Sequence, residues 1–306
     1  MENYVSFSPH IKNDITANKL YLMIVISLLP TFVAGTIFFG LRSILILLTS
    51  AIGVIGSEIV YNFVRYKKLV FNDYSTLVTA MLIALTMPPK LPILYPLLGA
   101  VISNILIKNC MGGAGKSIVN EVAFAKVVTF IAFANITSFY AGALGGAQSE
   151  TLLTTIISGG KPGCGAIGLL VGNSVGAIGE TAVLFLIAGG VFLCVLKVID
   201  YKVPLVYLVT VLIFGVVCFG AKESFMLLCA GGVVLCGFYL LTDYSCVPKT
   251  LLGKLIYGIT AGAITILYWK YGKNPDLGAF YAVLIVGIVA NAIKGFYRPR
   301  IVGEKK

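Results

Sequence analysis

Ten apolar runs, most of them long enough to cross a bilayer, leave this chain few ways to fold. A bilayer's hydrocarbon core is about 30 Å thick, so a helix rising 1.5 Å per residue needs about 20 apolar residues to span it. Segments 20–40, 44–64, 91–107, 122–140, 181–196, 203–219, 225–242, 251–269 and 277–293 read as spans on that criterion. Segment 75–87 has only 13 residues before Pro88-Pro89 and reads as a short or discontinuous span. Only 11% of the residues are charged and 58% are hydrophobic, against about 25% charged in a soluble domain. Lipid must cover such a surface. The expected fold is an all-α integral membrane protein of about ten transmembrane helices. The first span lacks a cleavage pattern and reads as a retained anchor.

The net charge of +11 raises the question of nucleic acid. No basic block interleaved with aromatics occurs, so Lys and Arg read as topology signals and nucleic acid is excluded as a partner. With ten spans the termini share a side. That side carries sixteen of the 23 basic residues and the opposite side six, with Lys126 inside a span. Both termini are therefore expected in the cytoplasm, and the Gly-, Ser- and Thr-rich segment 142–180 outside. The organisation reads as a tail at 1–19, five spans at 20–141, the outer loop at 142–180, five spans at 181–294 and a tail at 295–306. Five spans per half make the halves opposite in orientation, as in inverted-repeat transporters. Leu85-Thr86 and Leu241-Thr242, each before a Pro-containing turn, are a faint echo of that repeat.

Seven cysteines include no C-x-x-C pair, which argues against an iron–sulfur or zinc site held by this chain alone. Ionisable groups in or beside spans are expensive and point to function. Glu58, Lys126, Glu180 and Asp243 are the candidates, as ion-coupling groups or as interhelical pairs, whereas Asp73 reads as a turn residue. The run Gly172 to Thr181, with Gly176, Gly179 and Glu180, leads into a span. It suits either an anion held by backbone N–H groups at a helix start or a re-entrant loop. The outer loop is rich in hydroxyls but has no His, and His10 lies in the tail, so a hydrolase would lack its base.

Several short motifs then converge. They are Ser8-Pro9-His10, Asn72-Asp73-Tyr74-Ser75, Met87-Pro88-Pro89, Met111-Gly112-Gly113-Ala114-Gly115 with Asn120, Gly176-Ala177-Ile178-Gly179-Glu180-Thr181, Leu241-Thr242-Asp243 and Tyr297-Arg298-Pro299-Arg300. Together they resemble, nearly end to end, the RnfD component of the Rnf ion-translocating ferredoxin:NAD oxidoreductase complex and, more distantly, the NqrB component of the sodium-pumping NADH:quinone reductase. The resemblance implies a flavin-carrying component that passes electrons across a prokaryotic inner membrane, coupled to Na⁺ or H⁺ transport. Its partners would be Rnf components of the A, B, C, E and G types, the bilayer and a maturing flavin transferase. It also implies FMN held as a phosphoester on Thr151, within a family pattern Asp-x-x-Ser-x-Ala-Thr-Pro-Leu. This chain has Gly145, Gln148, Glu150 and Leu152 where that pattern has Asp, Ser, Ala and Pro, and Thr154 and Thr155 are the neighbouring hydroxyls. A noncovalent riboflavin near the cytoplasmic half is implied as well, at Asn120, where Glu121 replaces a family Pro. The alternatives are a stand-alone transporter or channel for a small solute on the same scaffold, and a purely structural membrane component.

Overall fold

A computed structural model describes residues 16–67, 74–113, 115–133, 136–142, 151–160, 166–172, 174–230 and 232–296. The motif residues Ser8, Asn72, Asp73, Gly145, Gln148, Glu150, Cys164 and Tyr297 to Arg300 lie outside them, as do parts of both expected tails.

The described residues are overwhelmingly helical. In order they form α1 (Ala17–Phe39), α2 (Leu41–Tyr66), α3 (Tyr74–Thr86), α4 (Leu94–Ser103), α5 (Glu121–Ala132), α6 (Leu152–Ile157), α7 (Ala166–Val171), α8 (Val183–Val195), α9 (Lys202–Phe219), α10 (Ala221–Leu228), α11 (Val233–Leu235), α12 (Leu251–Tyr271) and α13 (Gly278–Phe296). Helices α1, α2, α9 and α12 are long and apolar enough to span a membrane alone. Shorter apolar helices stand at the expected positions 75–87, 91–107, 181–196 and 277–293. The helix surfaces are apolar outward: Val64, Val195 and Val217 are 75%, 74% and 78% exposed, as lipid contact requires.

Three expected spans differ in shape. The run 225–242 is broken: α10 and the α11 segment meet at 61° around residues 229–232. Helix α4 and the α11 segment both end in a π-helical stretch, Asn104–Asn109 and Cys236–Leu240. The run 122–140 is α-helical only to Ala132 and resumes as a short 3-10 helix at Ile136–Phe139. Tyr95 of α4 stacks on Phe133 with ring centroids 3.9 Å apart and meets Phe139 edge-on at 6.3 Å. That aromatic packing holds the chain folded back beside α4. Between α5 and α8 lie α6, α7 and one small ladder, β1 (Ala141–Gly142) antiparallel to β2 (Val175–Gly176), pairing Ala141 with Gly176.

The packing scheme occurs twice. Helix α2 lies against α3 and α4, and α4 against α5; α9 lies against α10 and α12, and α12 against α13. The two sets meet through α1 on α8 and α5 on α13. Helices approach where side chains are small. A Cβ on Gly258 would lie 2.8 Å from Val206 and one on Gly262 2.7 Å from Thr210, so this G-x-x-x-G stripe brings α12 onto α9. Two polar contacts join segments far apart in the chain. Arg42 Nη2 donates to the Lys90 carbonyl at 3.1 Å, and Lys254 Nζ donates to Asp200 Oδ2 at 2.5 Å. Partial burial works against ionising Asp200, but hydrogen bonds from Lys254 and the Lys202 N–H, with the charges of both lysines, together outweigh it and hold that loop carboxyl below its usual range.

The end of α3 organises the molecule. Pro88 and Pro89 cannot continue the helix, so its last carbonyls need partners from elsewhere. Gly179 N–H donates to the Leu85 carbonyl at 2.7 Å and Ile178 N–H to that of Met87 at 3.2 Å. The Lys126 ammonium donates to the Thr86 carbonyl between them. A Cβ at Gly179 would stand 2.8 Å from the Leu85 Cβ, so only glycine lets the loop come this close.

Candidate functional site: two buried polar centres on one helix

Helix α5 carries a polar centre at its start and another near its middle. Asn120 and Glu121 open the helix, and Lys126 follows five residues on, about 7.5 Å along the axis at 1.5 Å per residue.

At the first centre Asn120 is the N-cap. Its Oδ1 accepts from Val122 N–H at 3.0 Å and Ala123 N–H at 3.2 Å. Its Nδ2 donates to Asp243 Oδ2 at 3.2 Å and to the Leu240 carbonyl at 3.4 Å. The side chain is thereby committed to joining the two halves, and it brings Asp243 beside the start of α5. Glu121 behaves differently. Its Oε1 accepts from the Thr79 hydroxyl, while its Oε2 is buried without a hydrogen-bond partner. Beneath it Lys108 Nζ donates to Glu58 Oε2 and to Ser75 Oγ, both at 2.9 Å. Glu58 is thus one half of a closed ion pair. Lys108 is 4% exposed and interior, not the loop charge that its position suggested. These groups open onto a cleft with about 90 Å³ of free interior space, walled by Tyr21, Leu82, Phe238, Tyr239 and Tyr244.

The second centre surrounds Lys126, which is fully buried. Besides Thr86 its ammonium reaches Tyr140 Oη at 3.3 Å and Glu180 Oε1 at 3.7 Å. It lies over the rings of Phe130, Tyr140 and Phe280, 4.7, 5.6 and 5.3 Å from their centroids. Glu180 Oε2 accepts from Ala177 N–H at 3.4 Å, and Oε1 has no hydrogen-bond partner. Asp276, 2% exposed at the entry to α13, accepts from the Thr151 hydroxyl at 2.8 Å. Thr151 also caps α6, accepting from Thr154 N–H at 3.3 Å. Thr181 only turns its hydroxyl back to the Ile178 carbonyl, at 3.3 Å.

Of the residues picked out by sequence, Lys126 and Glu180 come together, as do Asn120 and Asp243. Gly176 pairs in the ladder, and Gly179 with its neighbour Ile178 spends its N–H on α3 carbonyls rather than on an anion. Glu121, Lys108 and Asp276 were missed. The replacement of a family Pro by Glu121 was visible, but Asp276 after Pro275 looks like any helix-start acid.

The two centres differ in what they can hold. The first has the kind of lining a planar aromatic cofactor needs: aromatic and aliphatic walls, with Thr79, Ser117 and Glu121 among its polar residues. The second does not fit a phosphoester on Thr151. That hydroxyl is buried against Asp276, and the adjoining pocket is lined by Glu180 as well. A phosphate there would put further negative charge against two buried carboxylates. Thr154 and Thr155 both donate to the Thr151 carbonyl, at 2.8 and 3.0 Å, and offer no better place.

A helical membrane protein with doubled packing, a broken helix and charged groups buried at its interior has the design of a membrane translocase component. The chain belongs to the NQR2, RnfD, RnfE family, whose model matches residues 4–303. It is 29% identical over 307 residues to the D-type component of a Na⁺-translocating ferredoxin:NAD⁺ oxidoreductase complex from Acetobacterium woodii, covering 99% of this chain and 96% of that one. It is 27% identical over 320 residues to the D-type component of a proton-translocating ferredoxin:NAD⁺ oxidoreductase complex from Clostridium ljungdahlii, with 99% and 96% covered. The D-type component of an ion-translocating oxidoreductase complex from Methanosarcina acetivorans is 27% identical over 300 residues, with 98% and 96% covered.

Proposed function

We propose that this chain is a membrane component of an ion-translocating ferredoxin:NAD⁺ oxidoreductase complex, acting with other Rnf-type components in a prokaryotic cytoplasmic membrane. The observation that carries this reading is similarity along the whole chain to the D-type components of such complexes. A tagged chain purified gently from its host membrane should bring ferredoxin-dependent NAD⁺ reduction with it. Purification as a lone protein that moves a small solute in proteoliposomes would favour the stand-alone transporter instead.

Within that role the chain holds a noncovalent flavin in the cleft at the start of α5. Phe238, Tyr239 and Tyr244 would wall the ring system, and Glu121, Thr79 and Ser117 would meet its polar edge. A bound flavin supplies one- and two-electron chemistry, while the protein sets its position and polarity. The Glu121 oxygen is buried and unpaired without a partner on the ligand, a cost of about 1–3 kcal/mol that binding relieves. Glu121→Ala should therefore weaken flavin retention about tenfold or more. Riboflavin binding to the purified chain, followed by quenching of flavin fluorescence, measures this; unchanged affinity would remove Glu121 from the site. The Thr151 hydroxyl, buried and donating to Asp276, is poorly placed to carry a covalent FMN.

Both termini are placed in the cytoplasm. Cys110, exposed just beyond the π-helical end of α4, then faces inward. In a variant keeping only that cysteine, an impermeant maleimide should label it after lysis and not on intact cells. Labelling on intact cells would reverse the orientation.

A further inference from the structure

Helices α9 and α12 run parallel and start side by side. Val206 lies against Gly258 and Thr210 against Gly262, one turn further along each helix, so both first turns point the same way. Beside these starts lies a pocket with about 280 Å³ of free interior space, against about 90 Å³ in the cleft at the start of α5. It is formed by the turn between α8 and α9 and by residues 242–249, with Ile199, Val203 and Val247 among its apolar walls. Thr242 and Tyr244 border both spaces. The Tyr244 hydroxyl donates to the Val198 carbonyl, which ties the 242–249 segment to the α8–α9 turn.

The charges around this pocket do not balance. Among the described residues Lys249 and Lys254 line it, with Asp200 as the one acid. Lys254 is matched, donating to Asp200 Oδ2. Lys202 gives its backbone N–H to Asp200 Oδ1 at 3.2 Å and lies near enough for its charge to act on that carboxyl. Lys249 and Lys202 belong to none of the ion pairs among the described residues. Asp243, the nearby acid, lines the α5 cleft instead, where it accepts from Asn120 Nδ2 and from Ser245 N–H. Three ammonium groups thus face one carboxylate, and the first turns of α9 and α12 add partial charge of the same positive sign.

The rim of the pocket is apolar and open. Leu251 and Leu252, which follow Lys249 into the first turn of α12, are 55% and 58% exposed. Val195 and Leu196 at the end of α8 are exposed as well, and so is Tyr201, an amphipathic ring of the kind that settles at the membrane–water boundary. A soluble anion would meet the lysines and leave these side chains uncovered, whereas a phosphate carrying two acyl chains meets both. We infer that this pocket binds the headgroup of an anionic phospholipid, its phosphate held by Lys249, Lys202 and Lys254 and its acyl chains lying along Leu251 and Leu252. Basic pockets between membrane helices recognise such headgroups. Bound there, the lipid braces the starts of α9 and α12 against the segment that carries Tyr244. The inference goes beyond the translocating role proposed above and stands or falls without it, since its test uses no electron donor and no partner protein.

The experiment titrates the purified full chain, in a neutral detergent, with phosphatidylglycerol. Thermal unfolding is followed by the fluorescence of Trp269, the chain's one tryptophan, which is buried in the fold. A saturable rise in melting temperature is expected. Phosphatidylcholine with the same acyl chains should not produce it, nor should inorganic phosphate at the same concentrations. Lys249→Gln and Lys202→Gln should each raise the half-saturating concentration of phosphatidylglycerol about fivefold, while melting with the wild type in its absence. Lys249→Arg should keep the wild-type value, and so should Lys67→Gln, which removes an exposed lysine at the far end of α2. No response to phosphatidylglycerol, or an equal one to phosphatidylcholine, would overturn the assignment. A full response to inorganic phosphate would give the pocket to a soluble anion instead, and a shift in Lys67→Gln as large as that in Lys249→Gln would reduce it to diffuse surface attraction.

Discussion

Lys108→Met alone should lower stability by about 3–5 kcal/mol, because it leaves the Glu58 carboxylate buried without its counter-charge. It also removes a donor from Ser75 on α3. The pair joins the middle of the fold: Glu58 on α2, Lys108 at the π-helical end of α4 and Ser75 at the start of α3. Replacing both charges, as Glu58→Leu with Lys108→Met, removes the charge and its partner together and should recover most of the loss. Thermal unfolding of the three proteins in detergent, followed by a thiol-reactive dye on the buried cysteines, gives the comparison. A single variant that melts with the wild type would show that the pair is solvated and contributes little.

The second large effect concerns Thr151 and is all or none. Expressed together with a flavin transferase, the wild-type chain should have its unmodified mass, with no FMN increment on the peptide carrying Thr151. The hydroxyl that a transferase would need is 5% exposed and held by Asp276. Thr151→Val should cost about 1–3 kcal/mol, since it removes the α6 cap and leaves the Asp276 carboxylate without its donor. Thr151→Ser should retain both bonds. An FMN increment that vanishes in Thr151→Val would show that the segment opens to the enzyme and would reinstate the attachment implied by the family resemblance.

The sequence carried the helices well because lipid imposes a length and a composition on each of them. Where the runs mislead, the cause is tertiary. Residues 133–140 are apolar, but Phe133 and Phe139 are drawn to Tyr95, and no periodicity announces that contact. Lys108 was counted as a topology charge because it follows an apolar run; its partner is fifty residues back, on α2. Glu180 and Lys126 could be singled out because an ionisable group beside or inside a span is costly wherever it points. Asp276 could not, since its meaning comes from Thr151, 125 residues earlier. Of the Leu-Thr echo, Thr86 lies beside Lys126 and Thr242 lines the cleft at the start of α5, each hydroxyl turned back to its own helix, onto Ile83 and Phe238.

The end of α3 bears on how the chain matures in the translocon. Helices emerge in order, and when α3 enters the bilayer the N–H groups of Ile178 and Gly179 have not yet been synthesised. Until about ninety further residues follow, the Leu85 and Met87 carbonyls must be served by water or by the insertion machinery. The segment from α1 to α5 is thus an incomplete folding unit. Ribosomes stalled before residue 178 should display it in a protease-sensitive form, and stalling beyond 195, once α8 has joined α1, should make it resistant.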